Sequence, residues 1–137
     1  MKSVKAYQNV QVMTADRVRL IIMLYEGIIR FNRQAQDAIR DKDIKARGTS
    51  INRSIAILSE LINSLNMEEG GEIASRLFNL YEYSIQQLTA ANLRNDPAPI
   101  DVVNRIIGEL KGGWEGIAKT NEPGKKREEG VRISHGA

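Results

Sequence analysis

Between Val18 and Phe31 the chain reads Val-Arg-Leu-Ile-Ile-Met-Leu-Tyr-Glu-Gly-Ile-Ile-Arg-Phe. Wound at 100° per residue, its apolar side chains sweep an arc of roughly 220°, about twice the stripe a helix needs to dock on its own domain. Leu20, Leu24 and Phe31 run along one edge of that arc, and Val18, Ile22 and Ile29 along the other. Two arrangements satisfy so wide an arc. The helix is either central, with neighbours on three sides, or it keeps a strip open for a partner.

Three further segments carry the same period. The second places Ile44, Gly48, Ile51, Ile55, Leu58, Ile62 and Leu65 at alternating spacings of four and three, with Ile57 and Leu61 widening the stripe, a coiled-coil-like seam. The third, Glu72 to about Asn95, lines up Ala74, Leu77, Tyr81, Leu88 and Ala91, with Ile73, Phe78, Leu80 and Ile85 beside them. The fourth shows Ile100, Val103, Ile107, Leu110, Trp114 and Ile117. No segment alternates with the period of two that a strand requires.

The breaks have matching chemistry. Thr14 is the expected N-cap of the first helix, with Asp16 placed to meet the positive end of its dipole. That helix is expected to run to about Asp41, a rod of about 39 Å. Asn66 to Gly71 ends the second helix, since adjacent glycines free the backbone, and Glu68, Glu69 and Glu72 suit the start of the next. Asp96-Pro97-Ala98-Pro99 ends the third, because proline lacks the amide donor and disfavours helical geometry before it. Rods joined by such short turns form an antiparallel four-helix bundle, the all-α fold class expected here. The expected division is an N-terminal arm or short extra helix over 1–15, a bundle over 16–119 and a disordered tail over 120–137. Gly112, Gly113 and Gly116 fit either a fraying last turn or the close approach of another backbone.

Composition excludes several classes of function. The 137 residues make one domain of ordinary size and contain no cysteine, which suits a reducing cytoplasm. The N-terminal sequence has no apolar h-region, and no run is long enough to span a bilayer, so membrane insertion is not expected. The net charge is +3, with both signs mixed along every polar face. The basic run Lys125-Lys126-Arg127 is followed at once by Glu128-Glu129, so no nucleic-acid footprint forms.

Catalytic and metal chemistry find no scaffold. The single histidine, His135, lies in the expected tail. No nucleophile elbow, phosphate-binding loop or dinucleotide fingerprint occurs. The carboxylates at 68, 69 and 72 do not have the spacing of a calcium loop, and no Glu-x-x-His pair is present for a di-metal bundle site. No catalytic residue, metal ligand or cofactor is expected. A binding protein remains.

Four stretches then carry a family likeness: Ala6-Tyr7 with Thr14-Ala15; Leu24-Tyr25-Glu26-Gly27 with Ile29-Arg30-Phe31; Leu65 through Ala74, reading Leu-Asn-Met-Glu-Glu-Gly-Gly-Glu-Ile-Ala; and Leu80-Tyr81-Glu82-Tyr83 with Ala91 through Asp96. On these the chain resembles the FliS family of flagellin export chaperones from about Ala6 to Lys119. Asp16-Arg17-Val18-Arg19 stands where that family often has Ser-Pro-Glu-Lys, and the residues after Lys119 have no clear counterpart.

The resemblance implies a helical bundle of the bacterial cytosol that binds the C-terminal segment of flagellin, prevents premature polymerisation and delivers the subunit to the flagellar type III export apparatus. The expected contacts are Leu20, Leu24 and Phe31 on the first helix and Phe78, Tyr81 and Ile85 on the third. Tyr7, an aromatic with a polar tip in an otherwise polar arm, is suited to cover the groove reversibly. Two other occupants fit the same surface: other flagellar export or regulatory proteins, for a general adaptor, or further copies of the chain, for a self-associating bundle. Oligomeric state stays open.

Overall fold

The computed structural model describes residues 15–121. They form four helices, α1 (Ala15–Arg40), α2 (Ile44–Ser64), α3 (Met67–Arg94) and α4 (Ala98–Asn121). The expected N-cap Thr14, Tyr7 and the rest of the N-terminal arm, and the tail after Asn121, lie outside the described residues. Ala15, Thr120 and Asn121 belong to the helices, so α4 runs two residues past the boundary expected for the bundle.

Each helix packs against two neighbours in a closed ring: α1 on α2 and α4, and α3 on the same two. Cross-helix contacts fix the antiparallel register. Arg47 on α2 reaches Asn92 on α3 and Asn95 at its C-cap, while on α1 Gln36 bonds Asp101 and Glu26 pairs with Lys111, both on α4. The resulting square bundle centres on Ile28, Ile51, Leu58, Leu88, Ile100, Val103 and Ile107, all fully buried.

Local chemistry sets the ends of the rods. Lys42 takes a left-handed φ of 59°, and the Asp43 amide returns to the Ala38 carbonyl at 2.8 Å, closing α1 in a Schellman-type turn without glycine. Asp43 then caps α2 by accepting from the Ala46 amide at 3.0 Å. Asn66 caps α3 through the Glu69 amide at 2.9 Å, and Asp96 accepts from the Ala98 amide at 2.9 Å at the start of α4. Pro97 and Pro99 sit where a helix has no carbonyl for their missing amides to meet.

The third helix begins earlier than its sequence pattern indicates. It starts at Met67 rather than Glu72, runs one turn, and kinks at Gly71, whose φ of 56° and ψ of −130° are non-helical. The two glycines serve different ends. A side chain at Gly71 would be strained by the backbone, whereas a Cβ at Gly70 would come within 2.7 Å of the Ala74 Cβ. At Gly112, Gly113 and Gly116 a Cβ would meet nothing within 4 Å, so no other backbone among the described residues approaches them.

Stripe residues at the rod ends escape burial. Ile44, Ile73 and Ile117 continue the helical period, yet all three are exposed because no neighbour extends far enough to cover them. Inside, the core is not wholly apolar. Asn32 is fully buried, donating to Asn104 Oδ1 at 2.9 Å and accepting from the Ser54 hydroxyl at 2.5 Å, which ties α1 to α4 and α2. Removing Asn32 takes its acceptor from the buried Ser54 hydroxyl, leaving only the longer bond to the Ile28 carbonyl at 3.2 Å, and takes a donor from the half-buried Asn104. Asn32→Ala is therefore expected to lower stability by about 2 kcal/mol, read as a lower urea midpoint at unchanged slope. A loss under about 0.5 kcal/mol would show that this layer carries no weight.

Candidate partner-binding surface

The wide apolar arc of α1 resolves into three parts. Val18, Tyr25 and Ile28 point inward, and Ile22 and Ile29 are half-buried on the flank toward α4. Leu24 and Phe31 are half-buried on the flank toward α2. There the two helices run close, since a Cβ on Gly27 would lie 3.1 Å from the Ile57 side chain. The surplus is Leu20, 49 % exposed, and Met23, 60 % exposed, in the first three turns. Leu20 shares the edge of Leu24 and Phe31 but lies level with the end of α2, where cover runs out.

Two of the expected α3 contacts are reachable from outside: Phe78 and Ile85 are half-buried. Tyr81 is placed differently. It is only 2 % exposed, and its hydroxyl lies 2.6 Å from the Tyr25 hydroxyl, with the rings edge-on at 6.4 Å. The indole N–H of Trp114 donates to the same Tyr25 oxygen at 3.0 Å. Tyr81 thus holds the interior together and offers no face to a partner while the bundle is closed. Its helical position alone could not reveal this, because the phenol that satisfies its hydroxyl is 56 residues away.

Burial pushes the Tyr81 phenol well above its ordinary range, and the neighbouring Tyr25 phenol and their shared hydrogen bond act in the same direction. Tyr25 is raised by burial too, against the pull of its bonds to Tyr81 and Trp114. Neither is suited to proton transfer near neutrality.

Sequence periodicity also missed part of the exposed surface. Met23, Met67, Ile73 and Ile117 join Leu20 on one end of the bundle, beyond the level of the Tyr25–Tyr81–Trp114 node. The first helix begins and the last helix finishes at this end. The clustering follows from antiparallel order, which brings the first turns of α1 and α3 beside the last turns of α4. Among the described residues no group of His, Cys, Asp and Glu could hold a metal ion, and no helix is long and apolar enough to cross a membrane.

Comparison with known proteins places the bundle in a family. The family model for flagellar protein FliS matches residues 1–121. The chain belongs to the FliS family. It is 39 % identical over 122 residues to the flagellar secretion chaperone FliSB of Pseudomonas aeruginosa, covering 86 % of this chain and 97 % of that one. It is 45 % identical over 107 residues to FliS of Campylobacter jejuni, covering 78 % and 81 %. With FliS of Vibrio cholerae the identity is 34 % over 119 residues, covering 84 % and 88 %. The family is one of flagellar secretion chaperones, which is not an enzyme class, and its role is in protein export for flagellum assembly.

The phenol node gives the fold a pH limit. Unfolded tyrosine loses its proton near pH 10, whereas the folded chain holds the Tyr81 proton to higher pH. The unfolded state therefore binds fewer protons above about pH 10, and stability, fully present below that pH, falls as pH rises. Tyr81→Phe removes one of these groups. Its melting temperature is expected to fall less steeply than that of the parent between pH 9 and 11 (roughly the range set by the free phenol), and parallel declines would contradict the assignment.

Proposed function

We propose that this protein is a cytosolic export chaperone that holds the C-terminal segment of flagellin, keeps it from polymerising and hands it to the flagellar type III export apparatus. Membership of a flagellar secretion chaperone family supports an export role. The observation that carries the finer reading is the cluster of five exposed apolar side chains, Leu20, Met23, Met67, Ile73 and Ile117, at one end of the bundle, where elsewhere only Ile44, Tyr83 and Leu93 are exposed among the large apolar residues described. A subunit that zips into a filament through amphipathic helices carries apolar stripes that are a hazard while it is alone. This end of the bundle, continued along Leu24 and Phe31 on α1 and Phe78 and Ile85 on α3, offers those stripes a surface, and the client orders as it docks.

Coupled folding of this kind needs no nucleotide. The energy comes from apolar area, about 1.5–3 kcal/mol for each large side chain fully covered, against a few kcal/mol lost to ordering.

The direct test is calorimetric titration with flagellin and with flagellin lacking its C-terminal segment. Only the intact client is expected to bind; equal binding of both removes the specific reading. The double variant Leu20→Asp with Met23→Asp alters exposed positions and is expected to keep its helix content while losing about tenfold or more in affinity, since 1.4 kcal/mol is a factor of ten. Sedimentation that showed a concentration-dependent oligomer with no affinity for flagellin would favour a self-associating bundle instead.

Tyr7 is proposed to cover the apolar end when no client is bound. Tyr7→Ala is expected to leave the circular dichroism unchanged and to shift client affinity, whereas identical affinities would exclude Tyr7 from the mechanism.

A further inference from the structure

Phe31 carries two cations. The guanidinium carbon of Arg30, from its own helix, lies 5.4 Å from the ring centroid, and that of Arg53, from α2, lies 5.6 Å away. Placing two like charges on a single ring is unfavourable unless an anion joins them, and among the described residues none does. The described ion pairs are Arg19–Asp16, Arg40–Asp37, Arg76–Glu72 and Lys111 with Glu26 and Glu115. Arg30 and Arg53 are absent from these pairs and both are exposed.

The nearby carboxylates are engaged elsewhere. Glu26, one turn before Arg30, is held by Lys111 on the opposite flank of α1. Asp43 shares a shallow hollow with Arg53, but its carboxylate caps α2 on the Ala46 amide. The surface beside Phe31 is apolar and low. Gly27 has no side chain, and the Arg30 terminal nitrogen folds back to 3.7 Å from where its Cβ would be. Phe31 and the Gly27–Ile57 contact complete it.

Guanidinium groups stacked on an aromatic ring keep their N–H edges free, and those edges match a carboxylate in a bidentate fork. We propose that Arg30 and Arg53, held over Phe31, form a clamp for an aspartate or glutamate side chain on the client helix that lies along the α1–α2 seam. This inference rests on the flagellin reading above and deepens it, adding a charge to a surface otherwise read as apolar. It also sets a register. Phe31 is eleven residues beyond Leu20, about 16 Å along the axis, so the client acid lies about three turns from the apolar side chain that covers Leu20.

The test combines Arg30→Gln with Arg53→Gln and scans the C-terminal flagellin segment, changing each of its carboxylates in turn to the amide. In calorimetry at low salt the double variant is expected to bind the parent segment about tenfold more weakly, with the difference shrinking as salt screens the exposed charges. A single carboxylate-to-amide change is expected to weaken binding to the parent protein by a similar factor and to leave the double variant unaffected. Arg53→Lys, which keeps the charge and loses the fork, is expected to fall between. The melting temperature of the double variant is expected to match the parent, because among the described residues neither exposed arginine has an ion pair; if it falls, Arg53→Gln alone is scanned against the same segments. Parent and variant binding equally, or no carboxylate whose loss is silent in the variant, would overturn the clamp while leaving the flagellin reading intact. Failure of the parent to bind the segment would remove that reading and the clamp together.

Discussion

A hydrogen bond of 2.6 Å between Tyr25 and Tyr81 crosses the centre of this bundle. The helices that carry the two phenols, α1 and α3, are diagonal corners that scarcely meet otherwise, and Trp114 brings α4 to the same point. Further along, Asn32 connects Ser54 on α2 with Asn104 on α4. Apolar stripes alone allow a rod to slide by a turn at little cost, since one leucine resembles another. Two polar layers forbid it, because every slipped register strands buried donors at about 1–3 kcal/mol each. The position of every exposed side chain at the ends follows from that locked register.

Much of the architecture is legible in the chain because it is local. The periods of four and three, the break from Asn66 to Gly71 and the proline break before Ile100 are short-range features, and they yield four rods and their order. The start of α3 reads about a turn too late because the Gly70-Gly71 pair looks like a stop. In the fold Gly70 sits inside a helical turn against Ala74, and only Gly71 bends the chain.

The surface is harder to read, for reasons of length and distance. Whether Leu20 or Val18 faces water depends on where α2 ends, and Ile44, Ile73 and Ile117 are wet because they overhang their neighbours. Tyr81 sits on the same stripe as core residues and looks equally fit for a partner; its role is decided by a phenol in another helix. The ring of Phe31 is visible in the sequence as part of an apolar edge, but the meeting of Arg30 and Arg53 above it is not. Helical spacing constrains what shares a face, not what faces it.

The connections between helices are only two or three residues long, and each rod packs mainly on its neighbours in the chain, α1 with α4 excepted. Low contact order of this kind places folding in the microsecond-to-millisecond range. Ribosomes add about 5–20 residues per second, so synthesis of the chain takes seconds and conformational search adds almost nothing to it. The supply of working protein is then set by how fast it is translated, and a burst of new message becomes a burst of usable bundles without a lag.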